Sequence, residues 1–238
     1  MAKHSIALIP GDGIGKEVIP EGVRVLEKVA SRHQIDIAWK EFDWSCEHYL
    51  KTGTMMPEDG IEQLAEHDAI YLGAVGYPTV TDHVSIWGLL IPIRREFDQY
   101  VNLRPVRLFD GVPCPLANKK PGDIDFYVVR ENVEGEYSMI GGIQYGGTEQ
   151  EMAVQQSVFT QRGVDRIMKF AYELASKRPK KHLSSATKSN GIIHSMPYWD
   201  SRFKLMAEQY PDIRTDQFHI DILTANFVRM PEIGRAHV

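Results

Sequence analysis

Two rhythms of apolar residues alternate along this chain of 238 residues. A short apolar run over residues 5–9 closes on Pro10-Gly11-Asp12-Gly13, which predicts a buried strand and a tight turn. Residues 15–30 then space Val18, Ile19, Val23, Val25, Leu26 and Val29 at helical intervals. A second strand is predicted over 35–39, a helix over 58–67 behind Pro57, and a third strand over 69–72 that runs into Gly73-Ala74-Val75-Gly76. Residues 87–97 read as a helix that Pro92 should kink or restart, because proline lacks the N–H that a helix interior needs. This strand–helix–strand rhythm predicts an α/β fold, an open sheet with helices on both faces and ligands beyond the strand ends.

The character changes at Phe126. Residues 128–130 are strand-like, and the Gly-rich stretch 135–147, with Tyr137 and Tyr145, suggests an extended arm that a strand over 151–160 continues. Residues 162–176 are amphipathic through Val164, Ile167, Met168, Ala171, Leu174 and Ala175. The basic stretch 177–181 reads as a solvated turn, 182–186 as a strand entering Thr187-Lys188-Ser189-Asn190-Gly191, and 195–210 as a helix. A strand over 218–220 opens into Asp221 and a last helix. The expected division is a first α/β domain over 1–105 and a second over 106–231, with the arm at 135–160. Residues 232–238 continue no helical or strand pattern and are read as a non-native tail on a protein whose natural form is longer.

Composition narrows the function classes. At 43% hydrophobic and 25% charged residues the chain is ordinary for a globular protein, and a net charge of -5 argues against nucleic acid as a main partner. Cys46 and Cys114 form neither a disulfide framework nor metal-ligand spacing, so a reducing cytoplasm is expected. No apolar run approaches a membrane span.

The candidate chemistry begins with Arg94, Arg104 and Arg130. A guanidinium is a planar fork that grips a carboxylate in a bidentate way, and several such forks suit a small di-acid. The glycines of residues 10–15 either let a ligand approach backbone N–H groups or simply make a tight turn, and their spacing is G-x-G-x-G rather than the dinucleotide signature. Lys188, in a small-residue turn after a strand, can act as a base if it is covered. Tyr137 can donate a proton or pack in a core. Asp221, at a strand-to-helix junction, reads as an N-cap or as a hard oxygen ligand for Mg²⁺ or Mn²⁺.

Together these segments resemble the β-decarboxylating dehydrogenases, the isocitrate/isopropylmalate dehydrogenase family. The resemblance rests on Ile9-Pro10-Gly11-Asp12-Gly13-Ile14-Gly15, Leu72-Gly73-Ala74-Val75-Gly76, Arg94, Asn102-Leu103-Arg104-Pro105, Val129-Arg130-Glu131-Asn132, Glu134-Gly135-Glu136-Tyr137, Thr187-Lys188-Ser189-Asn190 and His219-Ile220-Asp221. Within the family it leans towards the tartrate and D-malate enzymes. A bulky Trp87, where isopropylmalate enzymes place a glutamate, is consistent with a smaller substrate. The resemblance implies NAD-dependent oxidation and decarboxylation of a 2-hydroxy di-acid with a divalent metal. Arg94, Arg104 and Arg130 would hold carboxylates, Tyr137 and Lys188 would move protons, Asp221 would bind metal, and Gly73, Ala74, Val75 and Asn190 would meet the nicotinamide end. It also implies a homodimer in which Lys188 and Asp221 reach the partner's cleft. Family chains continue further, so this polypeptide alone is expected to be inactive or nearly so. 3-Isopropylmalate dehydrogenase and a non-catalytic dimerisation module are the alternative readings.

Overall fold

The computed structural model describes residues 2–231 and 236–237, in two units, Met1–Phe97 and Asp98–Val238. In the first, β1 (Ala2–Ile9) lies between β2 (Ile35–Glu41) and β3 (Ala69–Leu72), parallel to both. The crossover α1 (Gly15–His33) packs on one face, where Gly22 leaves room for the hydroxyl of Tyr71. On the other face Ala7 and Ile9 meet Phe42, Trp44, Leu64, Leu89 and Ile93 in a buried core. Of the predicted stripe on α1, Ile19 is buried, while Val18, Val25, Leu26 and Val29 are exposed. The apolar arc is wider than the three-stranded sheet beneath it.

Two short helices follow β2. The first, α2 (Cys46–Thr52), has no apolar stripe and is fixed by its cap, Ser45, whose hydroxyl accepts the His48 N–H at 3.1 Å. The second is α3 (Gly60–Ala65). The predicted helix at 87–97 begins earlier, as α4 (Asp82–Ser85), widens into a π-helical turn, Ile86–Leu90, and continues as α5 (Ile91–Glu96). The Ile91 N–H reaches back to the Ile86 carbonyl across that turn. Pro92 therefore neither breaks the helix nor sharply restarts it. The wider turn before it accommodates a ring that would crowd the preceding turn of an α-helix.

The second unit is built on the strand order β4-β5-β10-β8-β9, with β4 (Val101–Arg107), β5 (Asp125–Glu131), β8 (His182–Thr187), β9 (Arg214–His219) and β10 (Ala236–His237). The sequence boundary at 105 moves back to 97/98, because β4 pairs antiparallel with β5 along its whole length and so belongs to the second unit. Pro105 is tolerated there because β4 is the sheet edge. Val129 and Leu183 face α6 (Gln161–Ser176) and α7 (Ser195–Ala207), and Phe126 stacks on Phe227 of α8 (Ile220–Arg229) on the opposite face. Helices thus cover both faces, as the sequence predicts. The arm is a separate antiparallel pair, β6 (Gly135–Gln144) and β7 (Met152–Val158). Within the stretch read as a tail, Ala236–His237 pair with β5 and β8, against the expectation of no strand there; the rest of 232–238 lies outside the described residues. A slot between two parallel strands offers unpaired backbone groups that a short segment can satisfy.

Candidate functional site

Arg104 and Arg130 come together through strand register. Arg104 stands opposite Val128 and Arg130 opposite Asn102, so both side chains leave the same face of the β4–β5 pair on a diagonal. Neither makes an ion pair among the described residues. A guanidinium that is not tied up in an ion pair keeps its donors for a ligand carboxylate. The Arg130 guanidinium lies over the Tyr137 ring, 5.4 Å from its centroid. These three residues line a cavity of about 340 Å³ whose apolar wall is Phe159, Met196 and Trp199.

The same cavity carries acids that the sequence reading did not use. Glu131 is half-buried and its carboxylate accepts the Val133 N–H at 3.0 Å and the Glu134 N–H at 2.7 Å, closing the turn between β5 and β6. Burial raises its pKa, and the nearby Glu134 charge adds to the rise. Glu134 accepts from both the backbone and the hydroxyl of Thr160. Their signal was present in Glu131-Asn132-Val133-Glu134, a turn whose N–H groups need acceptors, followed by the cap Thr160 and by Gly163.

Lys188 and Asp221 close the ends of the adjacent strands β8 and β9, where Thr187 pairs with His219. Lys188 Nζ donates to Asp221 Oδ1 at 2.6 Å, with 40% and 63% of the two side chains exposed. Within this unit Lys188 is partly exposed and ion-paired rather than covered by a helix. Asp221 is not the cap either, since α8 begins at Ile220 behind His219. Its carboxylate is held below the usual range, chiefly by the Lys188 hydrogen bond. Neither residue lines the cavity of Arg104, Arg130 and Tyr137. Asn190 is exposed in the turn that follows Lys188.

Arg94 lies in the first unit, in the last turn of α5, beside Arg95, whose guanidinium stacks on Trp87 at 5.4 Å. Gly73, Ala74 and Val75 follow β3 in the same unit. Of the two readings left open for the glycines, packing accounts for Gly11, Gly15 and Gly73: a Cβ on Gly11 would collide with the Ala74 carbonyl, and one on Gly15 or Gly73 with the Pro10 carbonyl. Within these two loops, Gly13 and Gly76 face open space. Asp12, unremarked in the sequence reading, fastens these loops. Its carboxylate is buried and accepts N–H groups of Cys46 at 3.0 Å, Gly76 at 3.1 Å and Glu47 at 3.2 Å. Burial pushes its pKa up, but the three backbone donors together outweigh burial and leave it lowered. Burial and the Asp12 charge push the Cys46 thiol up to about 11, which makes it inert.

The described residues hold no group of three His, Cys, Asp or Glu side chains able to share a metal ion, and no helix long and apolar enough to cross a membrane. Residues 5–238 match the family model described as isocitrate/isopropylmalate dehydrogenase. D-malate dehydrogenase [decarboxylating] of Escherichia coli (strain K12) is 65% identical over 234 residues, 98% of this chain and 65% of that protein. Tartrate dehydrogenase/decarboxylase of Pseudomonas putida is 61% identical over 236 residues, again 98% and 65%. The chain therefore spans about 65% of the length of these curated relatives. The crystal structure of isocitrate dehydrogenase from Methylococcus capsulatus matches with a TM-score of 0.85 at 25% identity, over 99% of this chain and 66% of that one. Built on this fold and matched along nearly its whole length, the chain belongs to the isocitrate/isopropylmalate dehydrogenase family.

Proposed function

We propose that this chain carries the substrate-binding and proton-transfer groups for NAD-dependent oxidative decarboxylation of a small 2-hydroxy di-acid of the D-malate or tartrate type. The observation that carries the reading is the pair Arg104 and Arg130, free of ion-pair partners among the described residues, on one face of β4–β5 with Tyr137 against Arg130. Each guanidinium offers two parallel donors to a carboxylate, and two such grips fix a di-acid's orientation, which is where much of an enzyme's advantage lies. Arg94 is given the same role on the family resemblance.

Tyr137 is the proton donor in this scheme. Its phenol stands beside Arg130 and therefore beside the end of the substrate that loses its carboxylate and must gain a proton. Lys188 is the group that takes the hydroxyl proton from the substrate. Its pairing with Asp221 keeps the amine oriented, and the carboxylate ionised, while no substrate is present.

The fit of the two implied cofactors is uneven. Asp221, ionised and largely exposed, suits one oxygen ligand of Mg²⁺ or Mn²⁺, and this chain's described residues supply no further set. A bound divalent ion supplies Lewis acidity towards the substrate's oxygens. Gly73 to Val75 and Asn190 are the proposed contacts for NAD. The open space at Gly13 and Gly76 leaves that loop accessible to a ligand. We also take the working form to be a homodimer whose clefts each draw Lys188 and Asp221 from the partner. Exposed apolar residues support this on the arm (Ile143, 69% exposed; Tyr145, 63%) and on α8 (Val228, 59%).

The test is metal-dependent NADH formation on D-malate, tartrate and 3-isopropylmalate. It is run on this chain and on a chimera that continues it with the C-terminal third of the Escherichia coli D-malate dehydrogenase. Turnover of D-malate or tartrate by the chimera, and little or none by this chain alone, is the expected result, with Arg104→Met and Arg130→Met in the chimera each raising KM at least tenfold. Turnover of 3-isopropylmalate alone would reassign the substrate, and none on any di-acid would overturn the reading.

A further inference from the structure

We propose that Glu134 is a positioning residue for Tyr137: it lashes the root of the β6–β7 arm to the N-terminus of α6, and so sets where the arm presents the phenol. The inference rests on the role of Tyr137 proposed above, and it assigns a function to an acid which that reading leaves unused.

The first observation is the anchorage itself. Thr160 is the N-cap of α6; its backbone N–H donates to Glu134 Oε2 at 2.8 Å and its hydroxyl donates to Glu134 Oε1 at 2.6 Å. The same hydroxyl accepts the Gly163 N–H at 3.0 Å, so both its donor and its acceptor sides are in use. A Cβ on Gly163 would collide with the Glu134 carboxylate, so this helix turn keeps a glycine where the acid lies. A carboxylate over the first turn of a 16-residue helix also faces the positive end of its dipole. Sequence neighbours make the lash tight. Glu134 precedes the first residue of β6, and Thr160 lies two residues beyond the end of β7. One side chain therefore closes both roots of the arm against the domain.

The second observation is what the arm does directly beyond this point. Gly135 pairs with Val158, but the next paired residue is Ile140, opposite Gln156. Residues 136–139 thus stand against Ser157 alone, a large bulge with Met139 at φ 55°. Tyr137 sits inside it. Bulges re-aim side chains, and this one is stitched to β7 by Ser157 Oγ donating to Glu136 Oε1 at 2.6 Å, by Gln155 Nε2 donating to the Glu136 carbonyl at 3.2 Å, and by Ser138 Oγ donating to the Gln156 carbonyl. Those bonds fix the bulge within the arm. The arm's strands are otherwise mostly exposed, so the arm's root is one of the places where the bulge is held over Arg130. Gly135, directly beyond the lash, is buried at φ +76° with the Phe159 ring 3.1 Å from where a Cβ would stand, so the chain enters the bulge through a residue that only glycine fits.

The experiment combines amide hydrogen exchange on this chain with kinetics on the chimera described above. In Glu134→Ala, exchange over residues 136–140 should accelerate at least tenfold while the interior of α6 is unchanged. Glu134→Gln, which keeps one acceptor oxygen, should recover part of the protection. Gly163→Ala, which displaces the carboxylate without altering it, should reproduce the loss by an independent route. In turnover, Glu134→Ala should lower kcat about tenfold or more with KM changed less than twofold, since a small misplacement of a reacting group is costly while the arginine grips remain. Added to Tyr137→Phe, it should cost little more, because both act through one phenol. Unchanged exchange at 136–140, or kinetic losses that simply multiply, would overturn the proposal. The expected exchange pattern in a protein that turns over no di-acid would support the lash and overturn only the catalytic reading of Tyr137.

Discussion

At the scale of single residues, Asp12 does more than its place in a glycine turn suggests. Its folded-state pKa is lowered, so the stability it contributes is present above its unfolded value near 3.8 and is lost as pH falls through the lower folded value. Asp12→Asn removes the charge and leaves N–H groups of Cys46, Glu47 and Gly76 with one weaker acceptor. We expect a cost of about 2 kcal/mol near neutral pH and a shallower decline of stability on acidification below pH 4 than in the unmutated chain. Thermal melts of the two proteins across that range check both, and parallel pH curves would refute the assignment. Lys188 allows a second test. Because its hydrogen bond is the chief cause of the low Asp221 pKa, Lys188→Met should move that carboxyl upward towards the ordinary range, read by carboxylate NMR. The arginines, the tyrosine, the lysine and the aspartate were singled out in the sequence by the family motifs they stand in, and the structure brings Arg104, Arg130 and Tyr137 to one cavity and Lys188 and Asp221 to one ion pair. Asp12 was not, because it binds N–H groups of Cys46, Glu47 and Gly76, in loops that only the fold brings near; Glu131 and Glu134 left only the local signal of their own turn and of the cap Thr160.

Elements were legible wherever apolar periodicity met a clear breaker, as at β3 and α6, and obscure wherever a partner strand or a cap did the work. β4 holds Asn102, Arg104, Pro105 and Arg107 in seven residues and carries no strand pattern; edge pairing with β5 makes it a strand. α2 is set by Ser45 rather than by any stripe. The helix with Pro92 shows the converse, a correct element with an unforeseen interior. If the wide turn at Ile86–Leu90 exists to seat the proline ring, Pro92→Ala should let it close to ordinary α-helix and rotate Trp87 away from Arg95. Fluorotryptophan NMR of Trp87 reports that rotation. A resonance that does not move would transfer the cause to Gly88, whose missing Cβ leaves room for Met55.

At the scale of the whole molecule the question is which chain completes which cleft. Lys188 and Asp221 are joined to each other and are absent from the lining of the cavity that holds Arg104, Arg130 and Tyr137. The proposed homodimer accounts for this by having the exposed pair at the strand ends serve a second copy's cleft. The distinction has a direct consequence for mixed dimers of the chimera. Tyr137→Phe and Lys188→Met should each abolish most turnover alone. Mixed in equal amounts and allowed to exchange subunits, they should recover about a quarter of the unmutated activity, because half the dimers are mixed and each of those carries one site with both groups intact. If each cleft drew tyrosine and lysine from a single chain, every site in every mixture would lack one of them and no activity would return. Recovery that also disappears when Val228→Glu is placed on α8 of both chains would locate the association on the apolar face of that helix. Recovery that survives it would leave the arm, with Ile143 and Tyr145 exposed, as the surface that brings the two clefts together.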